Sequence, residues 1–217
     1  IKIISEKYKK KEILITRSST DAKELLKNEP YLDEVIYNEF KKEFLYYWKE
    51  VFYLKRLINN KNIHDVWILD KISRPAIAGF LSNAKNVFGY GIGTQRMFLT
   101  NNNHLIKHDL KTHYISRGKK FLKLMKFNKT YEEPSINVDD KQTIFIKQKL
   151  KLSDKLIISY GVDSSEKHKM WPIKKFIELI KNISNKFEAQ HCIIASPSNQ
   201  NIVLNIISQL SDLEIHD

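Results

Sequence analysis

Short apolar runs alternate with longer stretches of helical period along this chain. Residues 12–16 (EILIT) read as a short buried strand. Residues 20–28 read as a helix entered at Thr20 or Asp21 and closed by Pro30. Extended, β-prone structure resumes at 34–37. Residues 40–59 carry a long helical pattern. Phe44, Leu45, Trp48, Val51, Phe52 and Lys55 fall on one face, and Tyr46, Tyr47, Lys49, Tyr53 and Arg56 lie towards the other. Residues 64–69 (HDVWIL) form a second buried strand. A helix capped by Ser73 comes next over 74–81, and a third short strand over 86–90 leads into the Gly-rich segment GYGIGTQR. Residues 108–127 are helical and 139–150 helix-like. Beyond a boundary placed near residue 150 come strands at 155–160, 191–195 and from 213, with helices over 172–186 and 199–210. Strands alternating with helices predict parallel α/β architecture on both sides of that boundary.

One segment concentrates chemistry. Residues 159–180 (SYGVDSSEKHKMWPIKKFIELI) leave an apolar strand and cross a loop with Gly161, Ser164, Ser165, Lys167 and Lys169. They then enter an amphipathic helix through Trp171 and Pro172. Pro at a first helical position loses no needed hydrogen bond. The free N–H groups of the first turn, two hydroxyls and two ammonium groups together make an anion site. In open α/β folds, a strand-loop-helix of this kind is where nucleotide phosphates bind.

Composition narrows the function classes. At 217 residues and 42% hydrophobic content, the chain can fill one large or two small cores. No window approaches 18 uninterrupted apolar residues, so no transmembrane helix is expected. Residues 1–11 are Lys-rich with a short apolar start and do not read as a secretory leader. The single Cys192 excludes a disulfide framework and reads as a buried strand residue. The formal charge is +12. Lys, Ile and Asn are all abundant, so A/T-rich coding can produce much of that charge. Scarce Arg weakens a nucleic-acid reading. No cluster has metal-ligand spacing, and there is no P-loop or nucleophile elbow.

Several segments in register resemble glycosyltransferase family 9, the ADP-heptose:lipopolysaccharide heptosyltransferases. The 159–180 segment is similar to that family's donor-binding signature, with hydroxyl residues followed by Lys-x-Trp-Pro. EPYLDEVIY resembles its P-x-hydrophobic-Asp-Glu-Val segment. HDVWILDKISRPAIAGFLSNAKNVFGYGIGTQR resembles its strand-helix-strand stretch, and HYISR its His-x-x-x-Arg helix. The resemblance implies a GT-B fold, two Rossmann-like domains facing each other across a cleft. Residues 1–150 would be the acceptor side with its first strand missing. Residues 151–217 would be the first part of the nucleotide-sugar domain. It implies an inverting, metal-independent transfer of heptose from ADP-heptose to the inner core of lipopolysaccharide. It implies no cofactor, and a place at the cytoplasmic face of the bacterial inner membrane, with peripheral contact to anionic lipid.

Residue by residue, the resemblance gives Ser164, Ser165 and Lys169 to the donor diphosphate, with Lys167 as an additional candidate. Asn199 stands where the family has an acid near the nucleotide. That departure leaves open a GT-B transferase for another nucleotide sugar. The catalytic Asp would lie upstream of Ile1, so no catalytic base is assigned. The chain is expected to be a fragment that binds donor weakly and transfers no sugar. On the acceptor side, Gln95 and Arg96 either meet an anionic acceptor or form a surface pair. His113 and Arg117, one helical turn apart, either face the cleft or make structural contacts. Gly89, Gly91 and Gly93 do not form a dinucleotide fingerprint and read as a flexible cleft-lining loop. Trp171 and His168 read as a packing residue and an exposed loop residue. The helix at 44–53 is either an amphipathic core helix or a membrane-docking one. A basic nucleic-acid-binding module remains as an alternative of another class, disfavoured by composition and by the absence of any recognised motif.

Overall fold

The computed structural model describes residues 1–39, 46–130, 133–164, 166–213 and 215–216. The chain divides into two compact units, Ile1–Asn137 and Val138–Asp217. The division lies ahead of residue 150 because the helix Asp140–Lys149 belongs to the second unit.

In the first unit, helix α1 (Lys2–Tyr8) leads into strand β1 (Glu12–Thr16). Next come a short helix α2 (Ala22–Leu25), strand β2 (Leu32–Tyr37) and helix α3 (Tyr46–Asn60). Strand β3 (Asp65–Ile68), helix α4 (Arg74–Phe80), strand β4 (Asn86–Gly89) and helix α5 (Tyr114–Leu124) complete it. β1 pairs in parallel with β2, and β3 with β4. The second unit opens with helix α6 (Asp140–Lys149), then strand β5 (Leu156–Gly161) and helix α7 (Ile173–Ser184). Strand β6 (Ala189–Ile194), helix α8 (Gln200–Ser208) and strand β7 (Ile215–His216) close it. Its sheet is parallel throughout, in the order β5-β6-β7.

Three expected helices are shorter than their apolar period suggested, each for a local reason. Asp21 sits in the left-handed region and separates a 3-10 turn at Ser18–Thr20 from α2. His113 is extended at ψ 146 and separates a 3-10 turn at Lys107–Lys111 from α5. A 3-10 turn at Pro197–Asn199 takes the start of the helix expected from 199. α1 carries no periodic signal long enough to have been predicted.

The core face of α3 also differs from expectation. Val51, Leu54 and Ile58 are buried, while Trp48 and Phe52 are 52% and 58% exposed. Burial follows the 51/54/58 spacing, which keeps one stripe over the sheet; Phe44 and Leu45 lie outside the described residues. Val51, Leu54 and Ile58 pack with Ile77 and Ala78 of α4. Each fully buried aliphatic side chain of this kind contributes about 1.5–3 kcal/mol. In the second unit, Ile177 and Ile180 of α7 meet Val203 and Ile206 of α8 over Tyr160 and Ile193. Cys192 is buried in β6, and burial raises its thiol pKa.

Candidate functional site

In the second unit the site is built at the carboxyl ends of two adjacent parallel strands. Gly161 and Ile194 are the last paired residues of β5 and β6, and the Val162 N–H extends that ladder to the Ile194 carbonyl at 3.1 Å. Two loops leave from there. Asp163, the second residue of the first loop, reaches across to the second. Its Oδ2 accepts from the Ser196 N–H at 2.8 Å, the Ser196 hydroxyl at 2.5 Å and the Asn199 amide at 3.0 Å. These donors hold the Asp163 carboxyl below the usual carboxylate range, the Ser196 hydroxyl and Asn199 amide contributing most. Sequence reasoning passed over Asp163. Its only sequence signal is its place two residues after the strand's final Gly.

The expected donor residues fall in these loops with different duties. Ser164 is half-buried, and its hydroxyl accepts from the Glu166 N–H at 3.4 Å. Lys169 is exposed in a 3-10 turn, with Nζ 2.5 Å from Glu166 Oε1, while His168 Nε2 lies 3.3 Å from Glu166 Oε2. Glu166 is thus the resident anion of the loop, a role the sequence reading did not assign. Asn199 spends its amide N–H on Asp163 and Ser196. Ser165 and the Lys167 side chain lie outside the described residues. Trp171 stacks edge-on against Phe176 with centroids 5.0 Å apart, yet remains 46% exposed.

Pro172 is the N-cap of α7, so the helix begins one residue later than expected, with Pro172 at φ −60 and ψ 136. Its carbonyl accepts from Lys175 and Phe176 N–H. Pro has no side-chain acceptor, and the first turn of α7 has no side-chain cap. The N–H groups of Ile173 and Lys174 therefore keep the partial positive charge of a helix start.

The first unit's candidates sit at the carboxyl ends of β3 and β4. Here the expected flexible loop is instead braced. Gln95 is fully buried; its amide donates to the carbonyls of Asp70 and Ile72, both at 2.9 Å, and accepts from the Gly91 N–H at 2.8 Å. It is a positioning residue with no face left for an acceptor, which corrects the ligand role considered for it. Asn101 clamps both the N–H and C=O of Gly89. Gly91 has φ +73, and a Cβ there would meet the His104 ring at 1.9 Å, so only glycine fits. Ser73 does not cap α4; its hydroxyl lies 2.7 Å from that of Thr94.

Arg96 is exposed. His113 caps α5, its Nδ1 accepting from the Ile115 N–H at 3.3 Å. Arg117, one turn on, is buried with its guanidinium 4.6 Å from the Tyr114 ring and 6.0 Å from the Tyr90 ring. Its Nε has no hydrogen-bond partner. Burial raises the Tyr90 pKa, and Arg117 opposes that rise. Glu50 and Arg74, not singled out by sequence, form an ion pair with Asn38 donating to Glu50 at 2.9 Å. Among the described residues no three His, Cys, Asp or Glu side chains cluster to hold a metal ion. No described helix is long and apolar enough to cross a membrane.

Comparison with known proteins bears on both units. The sequence model of glycosyltransferase family 9 (heptosyltransferase) matches residues 57–214. No curated protein matches the chain. Among solved structures, a glycosyl transferase family 9 protein from Veillonella parvula DSM 2008 superposes with TM-score 0.71 at 18% identity. That match covers 91% of this chain and 57% of the other. E. coli ADP-heptose lps heptosyltransferase II gives TM-score 0.67 at 14% identity, covering 99% of this chain and 65% of the other. E. coli heptosyltransferase WaaC with ADP gives 0.55 at 14% identity, covering 94% and 74%. The chain thus spans less than two thirds of the first two, and the likeness is one of fold: α/β units with parallel strands, as in GT-B glycosyltransferases.

Proposed function

The chain belongs to glycosyltransferase family 9, and from that premise we propose that its second unit grips the diphosphate of a nucleotide sugar. The observation that carries this is the loop between β5 and α7. An uncapped helix start and an exposed Lys169 share that loop, and among the described residues the Lys169 ammonium is held by an exposed ion pair to Glu166. Exposed pairs of this kind contribute about 0–1 kcal/mol, so a phosphate displaces Glu166 at little cost. Phosphate oxygens would take the Ile173 and Lys174 N–H groups, the Ser164 hydroxyl and Lys169. The same groups would then stabilise charge developing on the leaving diphosphate.

Asp163 refines the reading. The acid expected where Asn199 stands is supplied beside it by Asp163, from the neighbouring loop. A carboxylate at that turn suits a ribose hydroxyl. We read the donor as ADP-heptose, the reaction as inverting and metal-independent, and the acceptor as the lipopolysaccharide inner core. Support comes from the family and from solved relatives named for ADP-heptose and lps, or holding ADP. The residues 1–137 are read as the acceptor side, with Arg96 and Arg117 as the cations that suit an anionic acceptor. Peripheral contact with anionic lipid at the cytoplasmic face of the inner membrane would run through the exposed Trp48 and Phe52.

Competition of ADP, UDP and GDP against labelled ADP-heptose tests the donor. ADP is expected to compete best, and Lys169→Met to weaken ADP by about tenfold, the range for one charge-assisted hydrogen bond. Preference for UDP or GDP would move the donor to another nucleotide sugar. Nucleotide affinity indifferent to Lys169 would remove the diphosphate site from this loop.

A further inference from the structure

Only five of the 37 basic residues are Arg. Three of them stand where the first unit's parallel strands end: Arg17 follows β1, Arg74 begins α4 after β3, and Arg96 lies in the loop after β4. In a chain so rich in Lys, an Arg points to a place that an ammonium does not serve, because only Arg offers a planar fork of five N–H donors. Arg17 and Arg96 are exposed, whereas the Arg74 side chain is only 15% exposed.

Arg74 is enclosed by α3. Its Nε–H donates to Glu50 Oε2 in an ion pair, and its guanidinium carbon lies 4.8 Å from the Tyr46 ring and 5.7 Å from the Tyr47 ring. Glu50 is buried, and its other oxygen accepts from the amide of Asn38, directly after β2, at 2.9 Å. One carboxylate thus fixes two side chains from different elements. The fixing leaves groups of both kinds unused. Among the described residues the four Nη N–H groups of Arg74 have no hydrogen-bond partner. Asn38 Oδ1 is buried and has none either. Glu50 as a carboxylate only accepts, so the Asn38 nitrogen has to face it and the oxygen has to face away.

A buried ion pair seldom repays its desolvation, and apolar side chains of similar volume would pack α3 on α4 as well. Its place supplies another reason for it. Asn38, Glu50 and Arg74 line one cavity with Arg17 and Asp70, at the carboxyl ends of parallel strands. That is the end where open α/β folds bind ligands. A fixed fork of free donors suits the two oxygens of one carboxylate or phosphate. A lone buried acceptor beside it suits a hydroxyl.

Resting on the reading of residues 1–137 as the acceptor side, we propose that Arg74 binds an oxyanion of the acceptor through its Nη groups. Asn38 Oδ1 accepts from a hydroxyl next to that oxyanion, and Glu50 is the positioning residue that holds both. The ligand chemistry is that of a sugar acid or a sugar phosphate.

Arginine-labelled NMR of the 217-residue chain tests this, with the Arg74 Nε–H resonance assigned through Arg74→Lys. The probes are glucuronate, glucose 6-phosphate and lipid-free oligosaccharide from the lipopolysaccharide inner core. Glucuronate or glucose 6-phosphate should shift the Arg74 resonance, and the tighter of the two tells carboxylate from phosphate. The oligosaccharide should shift it as well, and Arg74→Lys should weaken binding about tenfold. The hydroxyl-free counterpart, propionate or methyl phosphate, should bind several-fold more weakly, and Asn38→Ala should close most of that gap. Glu50→Gln should cost about fivefold with Arg74 present and nothing further once Arg74 is Met. A carboxylate that only held the fold would cost the same in both backgrounds. Where a single variant fails to fold, Glu50→Leu combined with Arg74→Met decides, because an apolar pair should keep the first unit's melting temperature while binding is lost. An Arg74 resonance that no probe moves overturns the proposal. So does undiminished binding in the folded double variant. A shift with glucuronate or glucose 6-phosphate and none with the oligosaccharide keeps the oxyanion site and removes the acceptor reading.

Discussion

Two loops of the same topological kind, each leaving a parallel strand, are built in opposite ways. The loop after β4 is held by buried amides: Gln95 and Asn101 together occupy backbone groups of Asp70, Ile72, Gly89 and Gly91. The loop after β5 is held at its root by Asp163 and beyond that by exposed contacts of Glu166. A buried amide that satisfies three backbone groups fixes a loop, because breaking it strands those groups without partners. An exposed ion pair fixes little, and leaves charges that a ligand can take over. The first loop is a frame and the second is a hand.

The strongest way to break this contrast is at the frame. Gln95→Ala leaves the buried Gly91 N–H and the part-buried carbonyls of Asp70 and Ile72 without their amide partner, and should destabilise the first unit by about 2 kcal/mol. Thermal melting of the intact chain should show an early transition for residues 1–137. The transition of the second unit and its nucleotide affinity should keep their values. A loss below about 1 kcal/mol would mean that water replaces the amide without cost, and the loop is looser than its hydrogen bonds suggest.

How much of this was legible in the residues depends on whether a signal is local. The apolar runs EILIT, HDVWIL and LIIS are short and bounded, and each became a strand. The Lys-x-Trp-Pro entry to α7 also reads locally, and lay within one residue of its place. The contacts of Gln95 span up to 25 positions and those of Asp163 span 33 to 36, so no window around either residue contains its partners. The face of α3 misled for a different reason. Trp48 and Phe52 are as apolar as Val51, and only packing shows which stripe meets the sheet.

At the hand, the root contact is the next largest lever. Asp163→Ala removes the acceptor that ties Ser196 and Asn199 to the first loop. Nucleotide affinity should fall roughly tenfold, with amides of 195–199 exchanging faster and the β5-β6 ladder unaffected. Unchanged affinity would make Asp163 a loop tie alone and return the question of the missing acid to Asn199.

The interior of the second unit offers a pH test. His191 is buried between the Tyr160 hydroxyl at 2.9 Å and the Ser184 hydroxyl at 2.7 Å. Burial lowers its pKa below the ordinary value near 6.5. The unfolded chain then binds the proton more readily than the folded one. Stability is full above about pH 6.5 and falls as pH drops from there towards the folded-state pKa. In the first unit His104 acts in the same sense, its pKa lowered by burial and then by Arg96. Denaturant titrations from pH 8 to pH 5 should show a falling midpoint for both units, with the His191 ring resonances of the folded state titrating below 6.5. A midpoint that rises towards pH 5 would mean that His191 is charged when folded.

The smallest expected effect separates the two loops most finely. Glu166 restrains Lys169 and neighbours His168, and both its contacts are exposed. Glu166→Gln keeps the shape and removes the charge that a diphosphate has to displace. ADP affinity should rise about threefold, within the 0.2–1 kcal/mol of an exposed pair. The gain should shrink as salt is raised from 50 mM to 500 mM, because screening already weakens the competing pair. The thermal transition of the second unit should not move, since nothing buried depends on this carboxylate. Weaker ADP binding in Glu166→Gln would reverse the assignment: Glu166 would then be orienting Lys169 for the ligand rather than competing with it, and the loop after β5 would be preorganised like the one after β4.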